Sequence, residues 1–232
     1  SSDGRYVAAN GYGGTGKGVV YEVSTGRILA TLGAETGTLY ELAFSPDGRF
    51  LVIGRSIRTE CVGDKVVQCL SEARIELQST TSWNPVRNIS LPSPNIINFS
   101  IFAITFSPDR RYLAVSVIPS MDGAVDQRTG RWVTAEHKDQ IRIFDAASLN
   151  QIGSFTSRFR GANIRCLDFL KERDALLVGC AAKSLELLDV KTGDSTLLLK
   201  DLPNIAHQVL SRDGRYLAVG AGKEMGIYEI VY

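Results

Sequence analysis

Ser45-Pro46-Asp47-Gly48-Arg49-Phe50-Leu51-Val52-Ile53-Gly54 joins a tight polar turn directly to a continuous apolar run. Pro46 presets φ at the turn entry, Asp47 brings an oxygen that can cap backbone N–H groups, and Gly48 tolerates positive φ. The run after the turn is apolar without alternation, the pattern of a strand packed on both faces. Nearly the same phrase recurs as Ser1-Ser2-Asp3-Gly4-Arg5-Tyr6-Val7-Ala8, Ser107-Pro108-Asp109-Arg110-Arg111-Tyr112-Leu113-Ala114-Val115 and Ser211-Arg212-Asp213-Gly214-Arg215-Tyr216-Leu217-Ala218-Val219. A worn copy, Leu170-Lys171-Glu172-Arg173-Asp174-Ala175-Leu176-Leu177-Val178, lies between the last two. The recurring Asp and Arg invite a functional reading, but turn chemistry accounts for them.

Between the turns lie runs of about 4–8 residues rich in Val, Ile, Leu, Phe and Tyr, and no window of useful length has helical periodicity. The first unit reads as strands over 6–9, 19–23 and 27–32, and the second over 39–44, 50–55, 73–78 and 86–91. The third reads 101–106, 112–117, 140–144 and 151–155. The fourth reads 164–169, 175–179, 184–190 and 195–200, and the fifth 205–210, 216–220 and 225–230. A full unit holds four strands, A to D in chain order. Such units repeating at roughly 40–45 residues indicate an all-β propeller, one blade per unit. A lone four-stranded sheet cannot cover both of its apolar faces, so neighbours stack on them.

The polar turn followed by an apolar strand resembles the WD40-repeat family, as do later strands ending in Ile143-Phe144-Asp145 or Leu188-Asp189-Val190-Lys191-Thr192-Gly193. The family's Gly-His and Trp-Asp dipeptides are missing; Tyr21-Glu22, Phe144-Asp145, Leu188-Asp189 and Tyr228-Glu229 stand where Trp-Asp would be. The resemblance is therefore to a degenerate WD40 propeller, with other bacterial propellers as a neighbouring assignment. It implies antiparallel four-stranded blades over residues 1–232, about five represented, three complete and two partial. The first unit lacks an A strand and the last a D strand, so the chain is expected to be the C-terminal part of a larger ring.

Charge is nearly balanced, with 26 Lys and Arg against 25 Asp and Glu, which argues against a nucleic-acid or membrane-binding surface. No apolar run reaches the roughly 18–20 residues that span a bilayer. Of the four cysteines, Cys166 and Cys180 fall in apolar strand patterns. Cys61 and Cys69 flank a loop that a disulfide could close in an oxidising compartment. Two free cysteines elsewhere and no export signal favour the cytoplasm. No cysteine or histidine spacing indicates a zinc site, and no cofactor is expected.

Recognition is expected where the repeats are least regular. The B–C connections 11–18, 56–72 and 118–139 are elaborated. In a propeller they share one face with the D–A connections, and loops on a rigid scaffold carry binding. Gly11-Tyr12-Gly13-Gly14-Thr15-Gly16-Lys17-Gly18 looks like a phosphate-binding loop, but Gly18 follows Lys17 and a strand follows both, so a flexible hairpin is expected. In 118–139, Trp132 can serve a partner or its own blade, and His137 lies beside it. Arg158, Phe159 and Arg160 on a D–A connection can grip a carboxylate or phosphate, or simply be solvated. Asn95 and Phe99 lie on another D–A connection. His207 sits in an A-strand pattern and reads as structural.

The expected function is a non-catalytic protein-interaction scaffold or regulatory module, part of a larger chain or complex, presenting the B–C and D–A loops to a protein or peptide. Two other classes stay open. One is a propeller hydrolase of the lactonase type, with carboxylates at the channel; the other is an anion or phosphopeptide sensor using Arg158 and Arg160.

Overall fold

The Ser-x-Asp-Gly-Arg turn closes on itself in the same way wherever it occurs. Ser45 Oγ donates to Asp47 Oδ1 (2.6 Å) and accepts the Phe50 N–H (2.9 Å), while Asp47 Oδ1 also accepts the Arg49 N–H (3.1 Å). Gly48 N–H donates to the Ser45 carbonyl at 2.8 Å with φ at 71°. The same bonds form at Ser1/Asp3/Arg5/Tyr6, Ser107/Asp109/Arg111/Tyr112 and Ser211/Asp213/Arg215/Tyr216. Each turn arginine lies over the aromatic ring that follows it, at 5.1, 5.5, 5.1 and 5.7 Å in chain order. The worn copy keeps the frame bond, Leu170 N–H to the Ala175 carbonyl at 3.0 Å, without a serine to cap it.

The computed structural model describes residues 1–11, 17–33, 38–62, 68–91, 99–119, 124–125, 132–133, 140–156, 164–171, 173–180, 184–202, 205–211, 213–221 and 224–230. Among these there is no helix. The chain divides into two compact units, Ser1–Ile101 with Pro119–His137, and Phe102–Ile118 with Lys138–Tyr232. The first unit holds an antiparallel sheet of β1 (Tyr6–Asn10), β2 (Gly18–Glu22) and β3 (Ile28–Leu32). It also holds a four-stranded sheet of β4 (Thr38–Phe44), β5 (Phe50–Val62), β6 (Gln68–Ser79) and β7 (Pro85–Leu91). In the third sheet, β8 (Phe99–Phe106), which begins just before the division, pairs with β9 (Tyr112–Pro119). The pair β10 (Ala124–Val125) and β11 (Trp132–Val133) interrupts the chain before β12 (Gln140–Asp145) and β13 (Gln151–Thr156) complete that sheet. The fourth sheet is β14 (Ile164–Phe169), β15 (Ala175–Cys180), β16 (Ser184–Asp189) and β17 (Ser195–Leu199), and the fifth is β18 (Ile205–Leu210), β19 (Tyr216–Ala221) and β20 (Glu224–Glu229). The expected strands and the two three-stranded end sheets are therefore present.

Two connections depart from expectation. Residues 56–72 were expected as a loop, yet β5 and β6 continue as a hairpin out to the pair Val62↔Gln68. β4 ends opposite Ser56, so beyond that point the hairpin has only its own ladder. A ladder held by backbone bonds needs no apolar face, which is why hydrophobic patterning overlooks it. In the same way, Ala124↔Val133 and Val125↔Trp132 pair within the third B–C connection.

Within each unit, side-chain parity decides which neighbour a residue touches. Leu51 and Ile53 pack on Val20 and Leu32 of the first sheet, with Tyr6, Ala8 and Trp83 alongside. In the second unit, Ala114, Ile141 and Ile143 meet Leu167, Leu176 and Val178, and Ala175 and Leu177 meet Leu217 and Val219. The turn aromatic thus faces the following sheet and the next residue faces the preceding one. Leu51, Leu176 and Leu217 hold that second position at 0–2 % exposure.

Candidate binding clefts

The C–D turns repeat as regularly as the A–B turns. Gly26, Trp83, Leu149 and Gly193 each donate an N–H four residues back, at 2.8, 2.8, 2.8 and 2.9 Å, with φ of 68°, 56°, 58° and 78°. A left-handed tryptophan costs roughly 1–2 kcal/mol. Trp83 offsets that by setting its ring edge-on to Tyr6, at 5.1 Å and 89°. At Gly193 the space is filled from outside, since an added Cβ would sit 2.7 Å from Phe155 Cε1.

Trp83 walls a cleft of about 770 Å³ within the first unit. Asp3, Arg5, Tyr6, Glu22, Arg27 and Arg49 are among its lining residues. Its carboxylates already have partners. Burial alone would raise the Asp47 carboxyl, but the Ser45 hydroxyl and the N–H and guanidinium of Arg49 outweigh it and hold the group at about 2. The Ser1 hydroxyl and the Arg5 N–H likewise lower Asp3. Glu22 Oε2 accepts the Thr25 hydroxyl at 2.7 Å. Among the described residues Arg49 pairs with Asp47, whereas Arg5 and Arg27 form no ion pair.

Two smaller clefts lie in the second unit, again on the turn side. One, about 180 Å³, runs between Asp109, Arg111, Tyr112, Lys171 and Asp174. Its floor is an ion cluster, since Asp174 accepts both Arg111 and Lys191. The worn turn has lost its serine cap, and its Asp174 instead ties two neighbouring turns. The other, about 260 Å³, includes Asp168, whose carboxyl burial pushes up to about 6 against a hydrogen bond from Gln208.

The side chains singled out from sequence lie elsewhere. Asn95, His137, Arg158, Phe159 and Arg160 fall outside the described residues. Phe99 opens β8, and Trp132 stands opposite Val125 in β11. Gly18 opens a strand, as a hairpin requires and a phosphate-binding loop does not. Cys61 and Cys69 are direct cross-strand partners in the β5–β6 hairpin, and Cys166 is buried as expected. His207, expected as structural, has an exposed side chain on β18. The missed residue is Trp83. Aligning Ser79–Asn84 with Glu22–Arg27 puts it at the Gly26 position, the one signal that could have found it. Among the described residues, no three His, Cys, Asp or Glu side chains gather as metal ligands.

Residues 26–67 match the family described as WD domain, G-beta repeat. The match runs from β3 through β4 and β5, so it straddles two successive sheets of the first unit. No curated protein matches the chain. Residues 26–67 thus carry a WD40-type repeat, and the chain is built of five successive antiparallel sheets resembling the blades of WD40-type β-propellers.

Proposed function

We propose that the chain is a non-catalytic protein-interaction module that takes an acidic peptide segment into the cleft of the first unit. The observation supporting this reading is the imbalance of partners there. Asp3, Glu22 and Asp47 are tied up by local hydrogen bonds, whereas Arg5 and Arg27 line the cleft and form no ion pair among the described residues. A guanidinium fork suits a peptide carboxylate, and Trp83 and Leu29 offer apolar surface beside it. The loop set Asn95, Phe99, Trp132, His137, Arg158, Phe159 and Arg160 is the second candidate face, and it fits the same class of partner.

Fluorescence titration with a Glu-rich peptide carrying one aromatic residue tests the reading, with Trp83 as reporter. Arg27→Glu should weaken binding by roughly tenfold or more, the loss of one favourable charge contact and the gain of a repulsive one. Trp132→Ala and Arg160→Glu should leave it unchanged. Weakening by the second pair and not by Arg27→Glu would move the site to the loop face, and no binding in any variant would refute the peptide reading.

A further inference from the structure

Two of the four cysteines stand directly opposite each other on the β5–β6 hairpin, as the pair Cys61↔Cys69. Residues so opposed in an antiparallel ladder have Cα atoms about 4.5 Å apart in a non-hydrogen-bonded pair and about 5.5 Å apart in a hydrogen-bonded one. Both spacings lie within the roughly 4.4–6.8 Å that a disulfide spans. The other two cysteines are out of register, since Cys166 stands opposite Gly179 and Cys180 opposite Ile164.

The place of the pair gives it something to hold. Among the described residues, β4 pairs with β5 no further than Thr38↔Ser56, and β7 pairs with β6 no further than Ala73↔Leu91. Ser56 and Ala73 are themselves partners, so both flanking strands stop at one level of the ladder. Beyond that level β5 and β6 continue from Ile57↔Glu72 to Val62↔Gln68, with a register shift between Arg58 and Glu60. A two-stranded ladder is marginally stable in water, and a bulge disrupts its bonding further. Cys61↔Cys69 lies past that shift, next to the last pair, where a covalent tie would fix the register of the whole projection.

We infer that Cys61 and Cys69, opposed in the projecting end of the β5–β6 hairpin, are a reversible thiol–disulfide pair whose oxidation locks that end. The oxidant is a low-molecular-weight disulfide. One cysteine thiolate attacks it, forming a mixed disulfide and releasing one small thiol. The second cysteine thiolate then attacks the protein sulfur of the mixed disulfide and releases the other. The two cysteines lose two protons and two electrons, and the small disulfide becomes two thiols. Excess small thiol runs both steps backwards. The hairpin is the second B–C connection, so the pair makes the form of that connection depend on redox state.

The pairing is tested by equilibrating the chain in glutathione buffers from fully reduced to fully oxidised, then acid quench, alkylation and peptide mapping by mass spectrometry. The Cys61 and Cys69 peptides should join with loss of two hydrogen atoms, and return to free thiols in excess reduced glutathione. Cys166, which is buried, should stay alkylatable after unfolding. Hydrogen exchange on the two forms tests the lock. Amides of 57–62 and 68–72 should exchange at least about tenfold more slowly in the oxidised chain, while those of β15 and β16 stay unchanged. Cys61→Ser should abolish both the joined peptide and the exchange difference. Thiols at Cys61 and Cys69 that stay free, or end only as glutathione adducts, in fully oxidised buffer would overturn the inference, as would equal exchange in the two forms. The unsubstituted chain decides these outcomes even should the variant misfold.

Discussion

Removing the carboxylate from the buried ion pair between β5 and β6 should cost far more than removing its arginine. The Arg55 side chain is 1 % exposed, and its Nε donates to Glu76 Oε2 at 2.8 Å. Nη1 and Nη2 are buried with no partner. Glu76 is better placed, 16 % exposed and accepting Gln78 Nε2 at 3.0 Å. Arg55→Met loses one charged hydrogen bond, about 1.5–3 kcal/mol, but also removes two unpaired donors that each cost about 1–3 kcal/mol. The terms nearly cancel, and a net cost below about 1 kcal/mol is expected. Glu76→Gln strands a buried guanidinium without its counter-charge, at about 3–5 kcal/mol. The double substitution should recover most of that loss. Urea unfolding followed by tryptophan fluorescence suits the measurement, because Trp83 and Trp132 both belong to the first unit. If Arg55→Met costs as much as Glu76→Gln, the Nη groups have partners in solution and the reasoning fails.

Burial raises Glu41 to about 7 and Asp168 to about 6, so between about pH 4 and 7 the folded chain holds protons that the unfolded chain has lost. Stability from these two groups is present at low pH and falls as pH rises through that window. Glu41→Gln and Asp168→Asn should flatten the decline in urea midpoint between about pH 5 and about pH 8. Asp47 runs the other way: its contribution is present above the ordinary aspartate range and is lost as pH falls towards about 2, so Asp47→Asn should matter least in acid. At the C–D turns, Gly26→Ala meets open space and should cost about 1 kcal/mol for its left-handed backbone. Gly193→Ala adds a collision with Phe155 and should cost at least about 1 kcal/mol more. Thermal melts in a Phe155→Ala background should erase the difference, and a persisting gap would show that Phe155 is not its cause.

The sequence revealed the blades because the forces that make them are local. Each turn is closed by side chains within five residues of one another, as Ser45, Asp47 and Phe50 show, so the same short phrase must reappear wherever the turn does. The strand after it is apolar on both sides because sheets lie against both, and that too is written in four or five consecutive residues. Less of the site was visible. Residues 56–72 read as loop because their ladder is held by backbone groups that every residue type carries.

The linear chain therefore settled the blade as a unit, its turn chemistry and its all-β class, each set by contacts between near neighbours. Only the tertiary structure decided which positions are bare and which arginines line a cleft. Val7 and Leu51 occupy the same place in their phrases, yet one is half exposed and the other sealed. Trp83 and Gly26 share a turn position, yet one walls a cleft that Arg5 and Arg27 enter. Those differences depend on the neighbouring sheet, whose residues lie tens of positions away, and no local pattern encodes its presence.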